Sequence, residues 1–246
     1  MRVGLSIVSI DVTVLLPVFG EESTIGEAIE RAHRGLARAG ATGEIVIVDD
    51  GSSDSTQQRV LEAAKKYPMV KLLSHSSNLG LARALQTGIM NSQGEVIIFL
   101  PGDLESNPED DIPKLLEKMA GADLVSGWRQ GRTGPKIAAS WFYNLLYRWV
   151  FKIDVHDANW IKCFRRPVIN HFSWSRDWHR YMILFAARGG WRIGEVKVVY
   201  YGRRHGKSKF GIMRLPFGFL SFLRMYHEVT KKARSNGYGR TVTNRG

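Results

Sequence analysis

Apolar positions in the first half of the chain alternate between two patterns. Short continuous runs at Val12–Leu16, Ile45–Val48, Val70–Leu73, Val96–Leu100 and Leu124–Ser126 read as buried strands. Between them, apolar residues recur at three- and four-residue intervals. Ile25, Ala28, Ile29, Ala32 and Leu36 mark one helical face, and Val60, Leu61 and Ala64 mark the inward face of a helix over Thr56–Lys66. A third helix is expected over Leu81–Met90. A fourth is expected to start at Pro108, with Asn107 as its cap and Glu109, Asp110 and Asp111 complementing its dipole. Strands that are apolar throughout and separated by helices imply a mainly parallel sheet covered on both faces. Such sheets bind ligands beyond the carboxyl ends of their strands. Acidic residues fall there three times: Glu21 after the first strand, Asp49 and Asp50 after the second, and Asp103 with Glu105 after the fourth. One such cluster is ordinary loop solvation; three on one edge point to a site.

The second half reads differently. A basic loop around Arg129 and Arg132 leads into an aromatic helical pattern through Trp141, Phe142, Leu145, Leu146, Trp149 and Val150. Trp191–Tyr201 reads as a strand region and Arg203–Lys209 as a second basic loop. A mostly apolar amphipathic segment, Leu215–Val229, follows. The stretch 231–246 is basic and rich in small polar residues, the composition of a flexible tail.

Charge adds a constraint. The 246 residues carry 35 Lys and Arg against 23 Asp and Glu, a net +12, which favours anionic partners such as phosphorylated metabolites, an acidic membrane surface or nucleic acid. The single cysteine, Cys163, excludes an intramolecular disulfide and reads as a packing residue, as does Trp178. The apolar amino terminus is broken by Asp11 and is expected to lead into a strand rather than serve as a signal sequence. No charge-free apolar run reaches the roughly 20 residues that span a bilayer.

Asp103 and Glu105 are two apart, so on an extended backbone both carboxylates point the same way. Such oxygens suit Mg2+ or Mn2+, which keep positions open for phosphate and water. The spacing alone equally describes a turn residue beside a solvated one.

Four segments occur in order: Pro17-Val-Phe-Gly-Glu-Glu22, Val48-Asp-Asp-Gly-Ser-Ser-Asp-Ser-Thr56, Asn78–Gly88 and Gly102-Asp-Leu-Glu-Ser-Asn-Pro108. Together they resemble the inverting family 2 glycosyltransferases of the GT-A fold, a Rossmann-like α/β architecture. Val125–Arg132, Trp178-His-Arg180, Gly194-Glu-Val196 and Arg203–Gly211 narrow the likeness to the dolichol-phosphate mannosyltransferase and bacterial polyprenyl-phosphate branch. The resemblance implies one domain over 1–230, divided into a nucleotide-sugar half (1–127) and an acceptor and phosphate half (128–230). It implies a GDP- or UDP-linked sugar donor, a mannose- or glucose-type hexose, Mg2+ or Mn2+, and a polyprenyl phosphate acceptor. Pro17, Glu21, Asp49 and Asp50 would bind the nucleotide, and Asp103 with Glu105 would hold the metal. Arg203, Lys207 and Lys209 would close over the diphosphate, Arg129 and Arg132 would face phosphate, and Asp157 would stand at the acceptor side. The implied location is cytoplasmic, peripheral on the membrane through the amphipathic segments, which equally read as core helices.

Three positions depart from the family pattern. Pro101 replaces the usual first aspartate of the metal motif, with Glu105 in place of a common Gln, and Gly20 stands where Asn is common. Three alternatives remain open. One is a soluble hydroxyl acceptor, for which Asp157 or Glu195 would serve as base; His179 reads as a partly buried, hydrogen-bonded residue rather than a base. The second is a noncatalytic nucleotide-sugar-binding homologue. The third is a nucleic-acid binder, disfavoured because the basic loops bracket an acidic pocket.

Overall fold

A computed structural model describes residues 11–131, 144, 145, 148, 149, 151–175 and 177–202, all within a compact unit bounded by Met1 and His205. The first half follows the alternation of the sequence: β1 (Val12–Val18), α1 (Ile25–Arg38), β2 (Gly43–Asp49), α2 (Thr56–Lys66), β3 (Val70–Ser74), α3 (Leu81–Met90), β4 (Val96–Phe99), α4 (Pro108–Lys118) and β5 (Leu124–Gln130). The second half contributes β6 (Lys162–Arg165), α5 (Met182–Arg188) and β7 (Ile193–Val199), with 3-10 turns at Arg166–His171 and Trp178–Tyr181.

Among the described residues, seven strands form one sheet in the order β3-β2-β1-β4-β6-β5-β7. The first four are mutually parallel, and β5 pairs parallel with β7. β6 runs antiparallel between β4 and β5. The chain crosses from the β1–β2–β3 side to the β4 side next to β1, which puts the crevice of such sheets at the carboxyl ends of β1 and β4. The carboxyl ends of β1, β2 and β4 therefore share one edge, as the acidic pattern requires.

Burial explains the elements. Val14, Leu15, Leu16, Ile45, Val46, Ile47 and Val48 are wholly inaccessible, because helices cover both faces of β1 and β2. On α1 the five expected apolar residues are all buried. α2 differs from expectation: Val60 is buried, but Leu61 is 48% exposed. One residue further round the helix is a turn of about 100°, which carries Leu61 off the narrow stripe that faces the sheet. α1 crosses α4 so closely that a Cβ on Gly35 would lie 2.6 Å from the Pro108 carbonyl oxygen.

The start of α4 also differs in detail. The Asn107 side chain makes no capping bond to the helix backbone. It accepts from Arg31 (3.1 Å) and donates to Asp110 (2.6 Å) instead. Asp111 takes the capping role in reverse, its carboxylate accepting the Asn107 N–H at 3.2 Å. Glu109 and Asp110 pair with Arg34 and Arg38 of α1, so charge across the helix pair joins the helix dipole in holding them.

Candidate active site

Gly51 organises the nucleotide side. It holds φ at 76°, and a Cβ there would meet the Ser77 carbonyl carbon at 2.6 Å, so only glycine lets the β2–α2 loop pass so close to the β3–α3 loop. On either side of this contact the two aspartates are committed internally. Asp49, inaccessible to solvent, accepts from the hydroxyl and the N–H of Ser52 and from Gln57 Nε2 at 2.7 Å. Asp50 accepts from the N–H groups of Leu79 (2.9 Å) and Gly80 (2.8 Å) and meets His75 Nδ1 at 2.7 Å. These bonds make Asp50 the tie between the end of β2 and the start of α3. Ser52 and Thr56 in turn accept the N–H groups of Gly20 and Glu21, each at 2.9 Å. Half-buried Pro17 lies in β1 opposite Val48. Glu21, Asp49 and Asp50 thus stand on two latched loops at one sheet edge.

The Asp103–Glu105 pair differs from the extended geometry expected from its spacing. Leu104, between them, is buried and left-handed, with φ 59°. A branched side chain pays steric strain for that conformation. The turn is held by Asp103 Oδ1, which accepts the Glu105 N–H at 3.1 Å. The two residues are therefore joined by a tight turn rather than by strand alternation. A Cβ on Gly102 would strike Val18 at 2.4 Å, so this turn packs directly on the end of β1. Tyr201 donates its N–H to the Glu105 carbonyl at 3.1 Å, which brings the chain beyond β7 to the same loop. Arg132, Arg203, Lys207, Lys209 and the segment Leu215–Val229 lie outside the described residues.

A second cluster forms across β5, β6 and β7. Asp157, 4% exposed, grips Arg129 with both oxygens, at 2.6 and 2.9 Å. The Arg129 guanidinium lies 4.5 Å over the Trp160 ring. Glu195, opposite Ser126 in the β5–β7 register, accepts the N–H groups of His156 (2.8 Å) and Asp157 (2.9 Å) and meets His156 Nδ1 at 2.7 Å. Glu195 thereby fixes the backbone that aims Asp157 at Arg129. His156 stacks on Trp128 at 3.9 Å, and a cavity of about 180 Å³ lined by Trp128, Asn144, Leu145, Arg148 and His156 opens beside them. A larger cleft of about 560 Å³ between α4 and β7 includes none of the acidic residues that follow β1, β2 and β4.

Lys162 was not legible as a site residue. It opens β6, is 1% exposed, and burial pulls its ammonium down to about 7, against an opposing pull from Asp157. Only the antiparallel insertion of β6 places it here, and β6 is too short to announce itself as a strand. His179 is half-buried as expected, but its Nδ1 has no hydrogen-bond partner among the described residues, and burial lowers the ring to about 4. Trp178 packs inside and donates to the Ala82 carbonyl at 3.1 Å. Cys163 is wholly buried, which raises its thiol.

The profile of glycosyl transferase family 2 matches residues 13–180. The chain belongs to glycosyl transferase family 2. Among curated members it is 30% identical to the dodecaprenyl-phosphate galacturonate synthase of Rhizobium johnstonii, over 92% of this chain and 69% of that protein. It is also 30% identical to the undecaprenyl-phosphate 4-deoxy-4-formamido-L-arabinose transferase of Pseudomonas paraeruginosa, over 83% of this chain and 61% of that one. The chain thus spans between three fifths and seven tenths of the length of these relatives. The fold matches a mannosyltransferase of Pyrobaculum calidifontis determined with GDP-mannose and Mn2+ (TM-score 0.61, 21% identity, 79% of this chain and 58% of that one). It also matches the glucosyl-3-phosphoglycerate synthase of Mycobacterium tuberculosis with Mn2+ and UDP (TM-score 0.64, 18% identity, 80% and 73%). The architecture is the GT-A fold, and the chain is a glycosyltransferase domain.

Proposed function

We propose that this glycosyltransferase moves a sugar from a nucleoside-diphosphate donor to a polyprenyl phosphate, with inversion at the anomeric carbon. One observation favours a phosphate acceptor over a hydroxyl. Both carboxylates that the sequence offers as a base are already engaged, Asp157 by Arg129 and Glu195 by the 156–157 backbone and His156. A phosphate oxygen is anionic near neutral pH and attacks without surrendering a proton, so a site with committed carboxylates suits it. The names of the two polyprenyl-phosphate relatives support the same reading.

In this reading the acceptor oxygen forms a bond to the anomeric carbon as the bond to the diphosphate breaks, and the electron pair leaves with the diphosphate. The loops carrying Pro17, Glu21, Asp49 and Asp50 orient the nucleoside, Arg129 and Arg132 receive acceptor phosphate, and Arg203, Lys207 and Lys209 cover the diphosphate. Asp103 and Glu105 would hold a divalent cation, which when bound supplies positive charge to the departing diphosphate. The donor set fits: these are hard carboxylate oxygens on a turn locked by Asp103 itself. Among the described residues no group of three or more acidic, His or Cys side chains converges. Two carboxylates completed by phosphate oxygens and water are the usual holding of Mg2+. The enzyme works at the cytoplasmic membrane surface, where the lipid phosphate is presented.

The test is thermal-shift titration with GDP- and UDP-linked sugars and Mg2+ or Mn2+, followed by transfer to undecaprenyl phosphate. The donor panel includes mannose, glucose and galacturonate. Wild type is expected to be stabilised by one donor class only with metal present, and Asp103→Ala is expected to lose that metal dependence while staying folded. Unchanged metal affinity in Asp103→Ala removes the metal assignment, and transfer to soluble hydroxyls alone removes the lipid phosphate.

A further inference from the structure

Lys162 is a buried cation for which the proposed mechanism has no use. In the sheet it stands between Phe99, the last residue of β4, and Ser126 of β5, on the edge where the acidic loops gather. Its Nζ donates to the Trp160 carbonyl oxygen at 2.8 Å. An ammonium carries three donors, so one bond leaves most of its capacity unused. Its β5 neighbour Ser126 stands opposite Glu195 of β7 and donates its hydroxyl to the Asp157 carbonyl oxygen, which places Lys162 beside these two elements; the charges of Asp157, Arg129, Glu195 and His179 all act on it. His156 is bound by Glu195, and Lys197 lies 5.1 Å over the Trp128 ring on the outer side.

With Lys162 protonated the formal charges cancel. Arg129 and protonated Lys162 carry two positive charges, and Asp157 and Glu195 two negative. Without the Lys162 proton the same four groups are net negative. Asp157 already neutralises the fork of Arg129, so the attraction of this cluster for an anion depends on Lys162. Burial sets the ammonium near 7, where its state follows its surroundings. An arriving phosphate adds negative charge within a low-dielectric region and draws a proton from solvent onto the amine.

We propose that Lys162 is a positioning residue of the acceptor site, taking up a proton from solvent as a phosphate monoester settles at Arg129 and so holding the Arg129–Asp157 pair beneath it. This rests on the reading of Arg129 as the acceptor-phosphate residue. The proton joins the neutral amine and leaves it as ammonium; no other bond changes.

Isothermal titration with farnesyl phosphate as probe, between pH 7.5 and 9, tests it, because the phosphate is already largely a dianion over that range. Wild type is expected to bind with net proton uptake, read from buffers of different ionisation enthalpy, and to lose about threefold in affinity across the range, the part above pH 7.5 of roughly one pKa unit of coupling. Lys162→Met is expected to bind about threefold more weakly than wild type at pH 7.5, with no slope and no proton uptake. Lys162→Arg is expected to bind tightly without the slope. Melting curves report folding of both variants, and if the Met form does not fold, the Arg form decides: a retained slope overturns the proposal. Wild-type affinity and slope in Lys162→Met overturn it while leaving the acceptor reading intact. Wild type that binds nucleoside diphosphate but no farnesyl phosphate at any pH overturns both.

Discussion

Leu104, within the turn on which the metal assignment rests, and Asp111, in the helix that follows it, are each held in a state the side chain resists. Leu104 is a buried, left-handed leucine. Asp111 is a carboxylate 1% exposed whose ionised form burial disfavours, so that it rises to about 7. The folded state therefore holds the Asp111 proton more tightly than the unfolded chain does. Its stabilising contribution is complete below the ordinary aspartate range and is lost as pH rises toward and through about 7. Asp111→Asn keeps an acceptor for the Asn107 N–H and removes the titration. The variant is expected to be more stable than wild type at pH 8, by up to about 4 kcal/mol, with the gap closing by about pH 4. Urea melts at several pH values measure it, and a constant gap would remove the assignment of this pH dependence to Asp111.

At the level of elements, the loops after β1, β2 and β3 act as one unit through side-chain bonds that the alternation of strands and helices does not reveal. Gly51 is the point of closest approach. Gly51→Ala would force a Cβ to 2.6 Å from backbone and keep a left-handed φ. It is expected to cost about 2–4 kcal/mol, comparable to the strain and overpacking penalties of single sites, and to weaken nucleotide binding further by separating the loops. Chemical denaturation and nucleotide titration report the two effects separately. β6 carries the opposite lesson. Its four residues, Lys162–Arg165, lack the apolar run that marked the other strands. They became a strand because a gap between β4 and β5 offered two partners, and that pairing buried a lysine.

Over the whole molecule, the net charge of +12 and the exposed Trp149 (78%) and Leu145 (44%) on one short stretch bear on where the enzyme works. Among the described residues no helix is long and apolar enough to cross a membrane. Attachment at a surface would then draw on apolar contact and on attraction to anionic lipid. Flotation with vesicles containing anionic lipid is expected to recover the protein at about 50 mM salt and to lose most of it by about 500 mM, as screening shortens the reach of the charges. Protein that floats equally with neutral vesicles would assign the attachment to apolar contact alone.

The sequence determined the strand–helix alternation, the covered parallel sheet, the α1 core face and the gathering of Glu21, Asp49, Asp50, Asp103 and Glu105 on one edge. Each of these follows from the period of apolar residues and the position of acids relative to strand ends, which are local properties of the chain. Tertiary structure alone decided that a left-handed turn joins Asp103 to Glu105 and that Asp49 and Asp50 serve the loops around them. It alone decided that Leu61 faces outward, and that Arg129, Asp157, Lys162 and Glu195 form one charge cluster. Those four residues span 67 positions of chain, and the β5–β6–β7 pairing brings them together. Burial then sets the charge of Lys162, because the cost of an ion depends on the medium around it and no spacing in the sequence encodes that medium.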